Sequence, residues 1–147
     1  MAEKITHPDE IYFNEDHGIL RQTVSDFVEK EINANLDEWE ESGMPPLHHL
    51  FKKLGDLGLL GIRYDEKYGG QGLDYWFELV FLEEIAHIKG LGIPVAIAVQ
   101  THMATPAISQ FGSEYLKETY LKPAIAGDMV TSIAVTEPGA GSDVGAL

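Results

Sequence analysis

Leu20, Val24, Phe27, Val28, Ile32, Leu36 and Trp39 recur three or four positions apart, with polar residues between them. That period places them on one apolar stripe of a long helix over about residues 15–41. Asn14 or Asp16 is placed to cap its start, and Gly43 followed by Pro45 ends it. Leu47, Leu50, Phe51, Leu54 and Leu57 mark a second, shorter helix that closes near Gly58. Residues 58–74 break the period. Gly58, Gly61, Gly69, Gly70 and Gly72 stand there among polar residues, which predicts an ordered but irregular connection. Asp74 then caps a helix running to about residue 89. Its apolar residues, among them Trp76, Phe77, Val80, Phe81, Ile85 and Ile88, cover nearly the whole circumference, so it belongs in the centre of a bundle. Residues 93–111 predict another apolar helix with a kink or local irregularity at Pro106. Ser113 caps a last helix to about residue 126.

At Met129 the helical period stops. Residues 129–136 are rich in β-branched side chains and predict a strand, followed by a loop over residues 137–143. A helical bundle ending in one strand leaves that strand without a pairing partner, so the chain reads as truncated. The expected division is a helical domain over residues 1–128 and the start of a β-domain over residues 129–147. There is no internal repeat and no low-complexity tract.

Composition narrows the chemistry. The 147 residues suffice for one domain, and 44% hydrophobic with 23% charged residues is ordinary for a globular chain. No cysteine is present, which excludes disulfides, thiolate nucleophiles and cysteine-held metal, and fits a reducing compartment. A formal net charge of −14 gives no attraction for nucleic acid or for an anionic membrane surface. The first ten residues, MAEKITHPDE, resemble neither a signal peptide nor a transit peptide. The longest apolar run, near residues 93–99, is far below the ~20 residues of a membrane span. A cytoplasmic protein is expected, or one of the mitochondrial matrix if the chain is a processed eukaryotic one.

Among candidate motifs, Gly139-Ala-Gly-Ser-Asp-Val-Gly145 departs from the dinucleotide fingerprint, because its third glycine falls one residue late and no strand–turn–helix unit surrounds it. No lysine follows, so it is not a nucleotide P-loop either. Its small residues still allow backbone N–H groups and the Ser142 hydroxyl to approach an anion. Glu84-x-x-His87 has the spacing of a di-iron ligand pair, but no second copy exists. A histidine paired with Glu84 is the plainer expectation. His48-His49, His17 and His102 form no metal-ligand spacing.

Four ordered blocks carry a resemblance. Residues 126–144, Ala126-Gly-Asp-Met-Val-Thr-Ser-Ile-Ala-Val-Thr-Glu-Pro-Gly-Ala-Gly-Ser-Asp-Val144, resemble the signature of the acyl-CoA dehydrogenase family. Leu57-Gly-Leu-Leu-Gly-Ile62 with Tyr68-Gly-Gly-Gln-Gly-Leu-Asp74, then Phe111-Gly-Ser-Glu114, then Leu121-Lys-Pro-Ala-Ile-Ala-Gly127, resemble its earlier segments in the same order. Two departures touch only the subfamily: many relatives have a proline where this chain has Arg63-Tyr-Asp-Glu66, and another near Ala34.

The resemblance implies a mainly α fold, the family's N-terminal helical bundle followed by the first β-strand of its middle domain. It implies FAD as cofactor and oxidation of an acyl-CoA thioester to the trans-2-enoyl product, with electrons leaving to an electron-transfer flavoprotein. Ile133, Val135 and Thr136 would lie beside the flavin ring, and Gly141 and Ser142 at the cofactor pyrophosphate, with Ser142 also near the bound thioester. Gln100 and Met103 would line the acyl-chain cavity, although plain core packing is the simpler reading of both. The catalytic base belongs to a C-terminal domain, so no Asp or Glu here is assigned as catalytic. A homotetramer is expected for the full-length enzyme. Alone, the chain is expected to be catalytically silent and to bind FAD weakly or not at all. The alternatives are an acyl-CoA oxidase or nitroalkane oxidase relative, and a non-catalytic interaction module of the same fold.

Overall fold

The computed structural model describes residues 12–146, and its regular structure is helical. The N-terminal ten residues, on which the targeting expectation rests, lie outside the described residues. Helix α1 (Glu15–Phe27) opens on a reciprocal cap: Asn14 Oδ1 accepts from the His17 amide at 3.2 Å, and His17 Nδ1 accepts from the Asn14 amide at 3.1 Å. The helical run then continues to Ser42, but not as one uniform α-helix. A wide π-turn (Val28–Ile32), a 3₁₀ turn (Asn33–Asn35) and helix α2 (Leu36–Ser42) follow.

The stripe itself accounts for this. Val24, Val28, Ile32 and Leu36 stand four apart, and all are buried. At about 100° per residue, a four-residue step turns 400° and drifts about 40° from the core-facing line. A turn closed by an i→i+5 bond holds more residues and returns the stripe to the core. Gly43, at φ +76°, ends α2.

Helix α3 (Leu47–Asp56) buries Leu50, Phe51 and Leu54. Leu57, expected on the same stripe, lies past the helix end and is exposed. The glycine-rich connection folds back on itself through bonds from the Gln71 amide to Gly61 O and from the Leu73 amide to Ile62 O, both 2.9 Å.

Asp74 caps helix α4 (Tyr75–Ile85) by accepting from the Trp76 and Phe77 amides, and α4 lies along α1. Helix α5 (Gly92–Ala98), a π-turn (Val99–Ala104) and helix α6 (Thr105–Phe111) follow. The irregularity expected at Pro106 falls in the turn before it. Ser113 caps helix α7 (Glu114–Leu116), which leads through a π-turn (Lys117–Leu121) into helix α8 (Lys122–Ile125). Pro106 and Pro123 both sit at the start of a helix directly after a wide turn, where a missing N–H is tolerated.

The core joins the α1–α2 stripe to Leu50, Phe51 and Leu54 of α3, Phe81 and Ile85 of α4, and Ile93 and Ile97 of α5. Two glutamates of the apolar α4 are also buried, each held by an arginine: Glu84 by Arg21 and Glu78 by Arg63, both at 2.7 Å. Glu84 is thus paired with Arg21 and not with His87. Among the described residues no group of three metal-ligating side chains converges, and no helix is long and apolar enough to cross a membrane.

The strand expected over residues 129–136 is not formed. The segment is non-helical and joins no strand ladder, and the described residues hold only an isolated bridge between Glu137 and Ala140. A β-strand is defined by its ladder, and no second strand is present among the described residues to supply one.

Gly127 shows how closely the elements approach. Its φ is +74°, and a Cβ there would stand 2.1 Å from the Phe51 carbonyl oxygen. Gly127→Ala is therefore expected to lower stability by about 2–3 kcal/mol in urea unfolding. Gly139→Ala, where a Cβ meets nothing within 4 Å, should stay within about 0.5 kcal/mol. Equal losses at both positions would refute the close approach.

Candidate functional site

Gly127 turns the chain out of α8, and the amides of Asp128 and Met129 both donate to Pro123 O, at 2.9 and 3.2 Å. The Thr131 amide donates to Gln100 Oε1 at 2.9 Å. Beyond it, among the described residues, no hydrogen bond engages the backbone of residues 132–136. Ile133 and Val135 are 42% and 41% exposed, high for aliphatic side chains in a β-branched run. Gly141 returns to Thr136: a Cβ on Gly141 would meet Thr136 Cγ2 at 3.6 Å. The turn closing residues 137–140 rests on the Glu137 amide to Ala140 O bond, 2.8 Å. Ser142, two residues past that turn, is exposed.

Beside this segment lies an open groove of about 510 Å³. Met103, Ala104 and Ile108 form one wall, Tyr120 stands at its side, and Met129 to Ile133 form the other wall. The structure therefore brings Met103 and Ile133 to one cavity, and Thr136 and Gly141 together further along. Met103 is 52% exposed and is available to a ligand. Gln100 behaves differently. It is 1% exposed and is not among the groove-lining residues, and its amide is committed to backbone groups. Asp128 is an acid at the groove, and it faces Lys52 at 3.5 Å.

A second groove holds residues to which the sequence assigned no functional role. Arg63 donates to Glu78, whose other oxygen lies 3.1 Å from His102 Nε2, while His102 Nδ1 is 2.6 Å from Thr101 Oγ1. The Glu78 hydrogen bond holds the Arg63 guanidinium above its usual range. The signal for this network was Glu78, a carboxylate on a helix with apolar residues around nearly its whole circumference, which requires a partner when buried. Next to it the Tyr64 hydroxyl reaches Thr101 O at 3.1 Å and the Thr105 hydroxyl at 2.7 Å. Burial raises the Tyr64 phenol above its usual value, with the Thr105 contact opposing.

Comparison with known proteins agrees with the helical architecture. Residues 14–128 match the family described as acyl-CoA dehydrogenase, N-terminal domain. The chain is 35% identical over 137 residues to a 3-(aryl)acrylate reductase of Clostridium sporogenes, covering 93% of this chain and 36% of that protein. It is 36% identical over 138 residues to the caffeyl-CoA reductase-Etf complex subunit CarC of Acetobacterium woodii, with 93% and 36% covered. Among solved structures, an acyl-CoA dehydrogenase complexed with FAD from Bacillus anthracis superposes with a TM-score of 0.83 at 30% identity, covering 97% of this chain and 24% of that one. The chain thus spans about a third of the length of the curated relatives it matches.

The raised Tyr64 value carries a pH dependence. A folded-state value above the unfolded one means that the fold favours the protonated phenol. Its contribution is then complete below about pH 10 and is lost as pH rises through the folded value. In alkaline unfolding Tyr64→Phe should lose stability less steeply than wild type, while at neutral pH it should be about 1 kcal/mol less stable. Parallel alkaline slopes would contradict this.

Proposed function

The chain belongs to the acyl-CoA dehydrogenase family, and on that premise we propose that it supplies the helical wall and the flavin-facing segment of an FAD-dependent acyl-CoA dehydrogenase. The observation that carries this reading is the segment of residues 132–136, which leaves the bundle alongside the groove of Met103 and Ile133 with no backbone hydrogen bond among the described residues. Residues 1–128 are the helical domain and residues 129–147 the start of the next. The match ending at residue 128 and the exit of the chain at Gly127 support that division.

The residues present suit the group. The amides and carbonyls of Ile133, Val135 and Thr136, which have no partner among the described residues, offer hydrogen bonds to a planar heteroaromatic ring, as does the exposed Thr136 hydroxyl. Gly139 lies in open space, and Gly141 and Ser142 follow it in the loop, so a pyrophosphate can approach the backbone closely. FAD, when bound, supplies the acceptor for the hydride leaving the β-carbon of the thioester. The chain's own part is to orient and to exclude water. Met103, Ala104 and Ile108 present an apolar wall to an acyl chain, and the exposed Ser142 hydroxyl stands in the loop that would meet the cofactor and thioester. None of the acids is assigned as the α-proton base, since Asp128 at the groove is turned to Lys52.

The name of the Acetobacterium woodii relative, a subunit of a reductase–Etf complex, supports an electron-transfer flavoprotein as redox partner. A homotetramer completes the reading for the full-length enzyme. Two relatives named as reductases favour a second reading, in which the same site runs in reverse and saturates an unsaturated substrate.

Mixed with FAD, a short acyl-CoA and an artificial electron acceptor, the 147-residue protein is expected to reduce no dye and to emerge colourless from gel filtration. Dye reduction would show that a base lies within these residues and would overturn this division of labour.

A further inference from the structure

Gln100 is the largest polar side chain that is essentially fully buried, and its amide has no spare hydrogen-bonding capacity. Nε2 donates to Ala124 O at 2.9 Å and to Met129 O at 3.2 Å. Oε1 accepts from the Thr131 amide at 2.9 Å and, at the weak limit, from the Thr131 hydroxyl at 3.4 Å. One planar group thus ties the last helix, the point where the chain leaves it, and the second residue of the departing segment.

The amide is itself held from behind. Gln100 lies in the wide turn Val99–Ala104, and its carbonyl accepts both the Thr105 amide and the Thr105 hydroxyl. That hydroxyl in turn contacts the Tyr64 hydroxyl at 2.7 Å. Ordinary core glutamine needs no such arrangement. What singles this one out is position, because the Thr131 amide carries the last backbone tether, among the described residues, before residues 132–136.

We propose that Gln100 is a positioning residue: its amide sets the direction in which residues 130–136 leave the bundle, and thereby where Ile133, Val135 and Thr136 stand. The proposal rests on the reading of that segment as flavin-facing, but the pin itself is tested without FAD. It also gives Gln100 a role other than lining the acyl-chain cavity. A planar amide with both donors and both acceptor sites engaged admits one orientation, and rotation of the segment about its exit breaks a bond to Ala124, Met129 or Thr131.

The test is amide hydrogen exchange by NMR on the 147-residue protein and on Gln100→Met, which keeps length and volume and removes the polar atoms. In wild type the Thr131 amide is expected to exchange on the order of tenfold more slowly than those of Ile133 and Ala134, the worth of one hydrogen bond. In the variant it should rise to their level and the resonances of residues 132–136 should move, while α1 and α4 keep their protection. An unprotected Thr131 in wild type overturns the proposal. So does a variant that leaves Thr131 unchanged, or one that loses protection evenly across α1, α4 and Thr131, which marks a core residue only.

Where Gln100→Met does not fold, Gln100→Glu carries the test. Its protonated carboxyl keeps one donor, whereas the ionised form faces the carbonyls of Ala124 and Met129. The resonances of residues 132–136 should then titrate with pH in that variant and not in wild type, and absence of that titration overturns the pin. Neither readout involves FAD, so the pin and the flavin-facing reading of the segment stand or fall independently.

Discussion

The contact between α3 and the turn at Gly127 is the constraint on which the rest of the arrangement depends. A Cβ on Gly55 would lie 2.3 Å from the Ala126 carbonyl, and one on Gly127 would lie 2.1 Å from that of Phe51. Backbone meets backbone there with no side chain between. The C-terminal end of the bundle is therefore seated on α3, whose Leu50, Phe51 and Leu54 are also the floor of the core. Core packing and the exit point of the last segment are consequently set by one junction. Loosening either glycine displaces the start of the segment, however well residues 129–136 are suited to a cofactor.

Charge is handled by local pairing within an acidic chain. Ten basic residues face twenty-four acidic ones, yet the two buried glutamates of α4 each have an arginine. Each arginine remains about half exposed while its carboxylate is covered. A buried carboxylate without its partner is costly, whereas the exposed lysine pairs, such as Lys30 with Asp26, contribute little. Arg21 and Arg63 are thus structural in a way the net charge does not reveal. Both join α4 to a different element, α1 in one case and the glycine-rich connection in the other.

The helical part of the fold was largely legible in the sequence, because its signals are local. Three- and four-residue spacing gave the buried faces, and Asn14, Asp74 and Ser113 cap where their chemistry predicts. The wide turns were not legible, since a stripe drifting by one residue looks continuous when written out as letters. The strand was predicted from β-branched composition, and pairing decides otherwise. At the site, Met103 and Ile133 were readable as apolar residues near a candidate ligand. The Gln100 amide was not, because sequence does not tell which carbonyls and amides lack backbone partners. Arg63 with Glu78 escaped for a related reason: the partners lie in different elements, and only a misplaced carboxylate in α4 hinted at them.

The wide turn at Val99–Ala104 has a consequence for how this chain tolerates change in length. A π-turn amounts to one residue added to an α-helix. Removing a residue there would let α5 and α6 join as a regular helix with both flanks on their present faces, because the widened turn is what absorbs the extra residue. The residues within the turn, Gln100 among them, would change direction, while the apolar period on either side stayed almost intact. A shortened sequence of this kind would still look like a well-formed amphipathic helix to any pattern-based reading. Single-residue gaps at this point, when related chains are aligned, therefore separate proteins that keep the geometry from those that keep only the hydrophobicity.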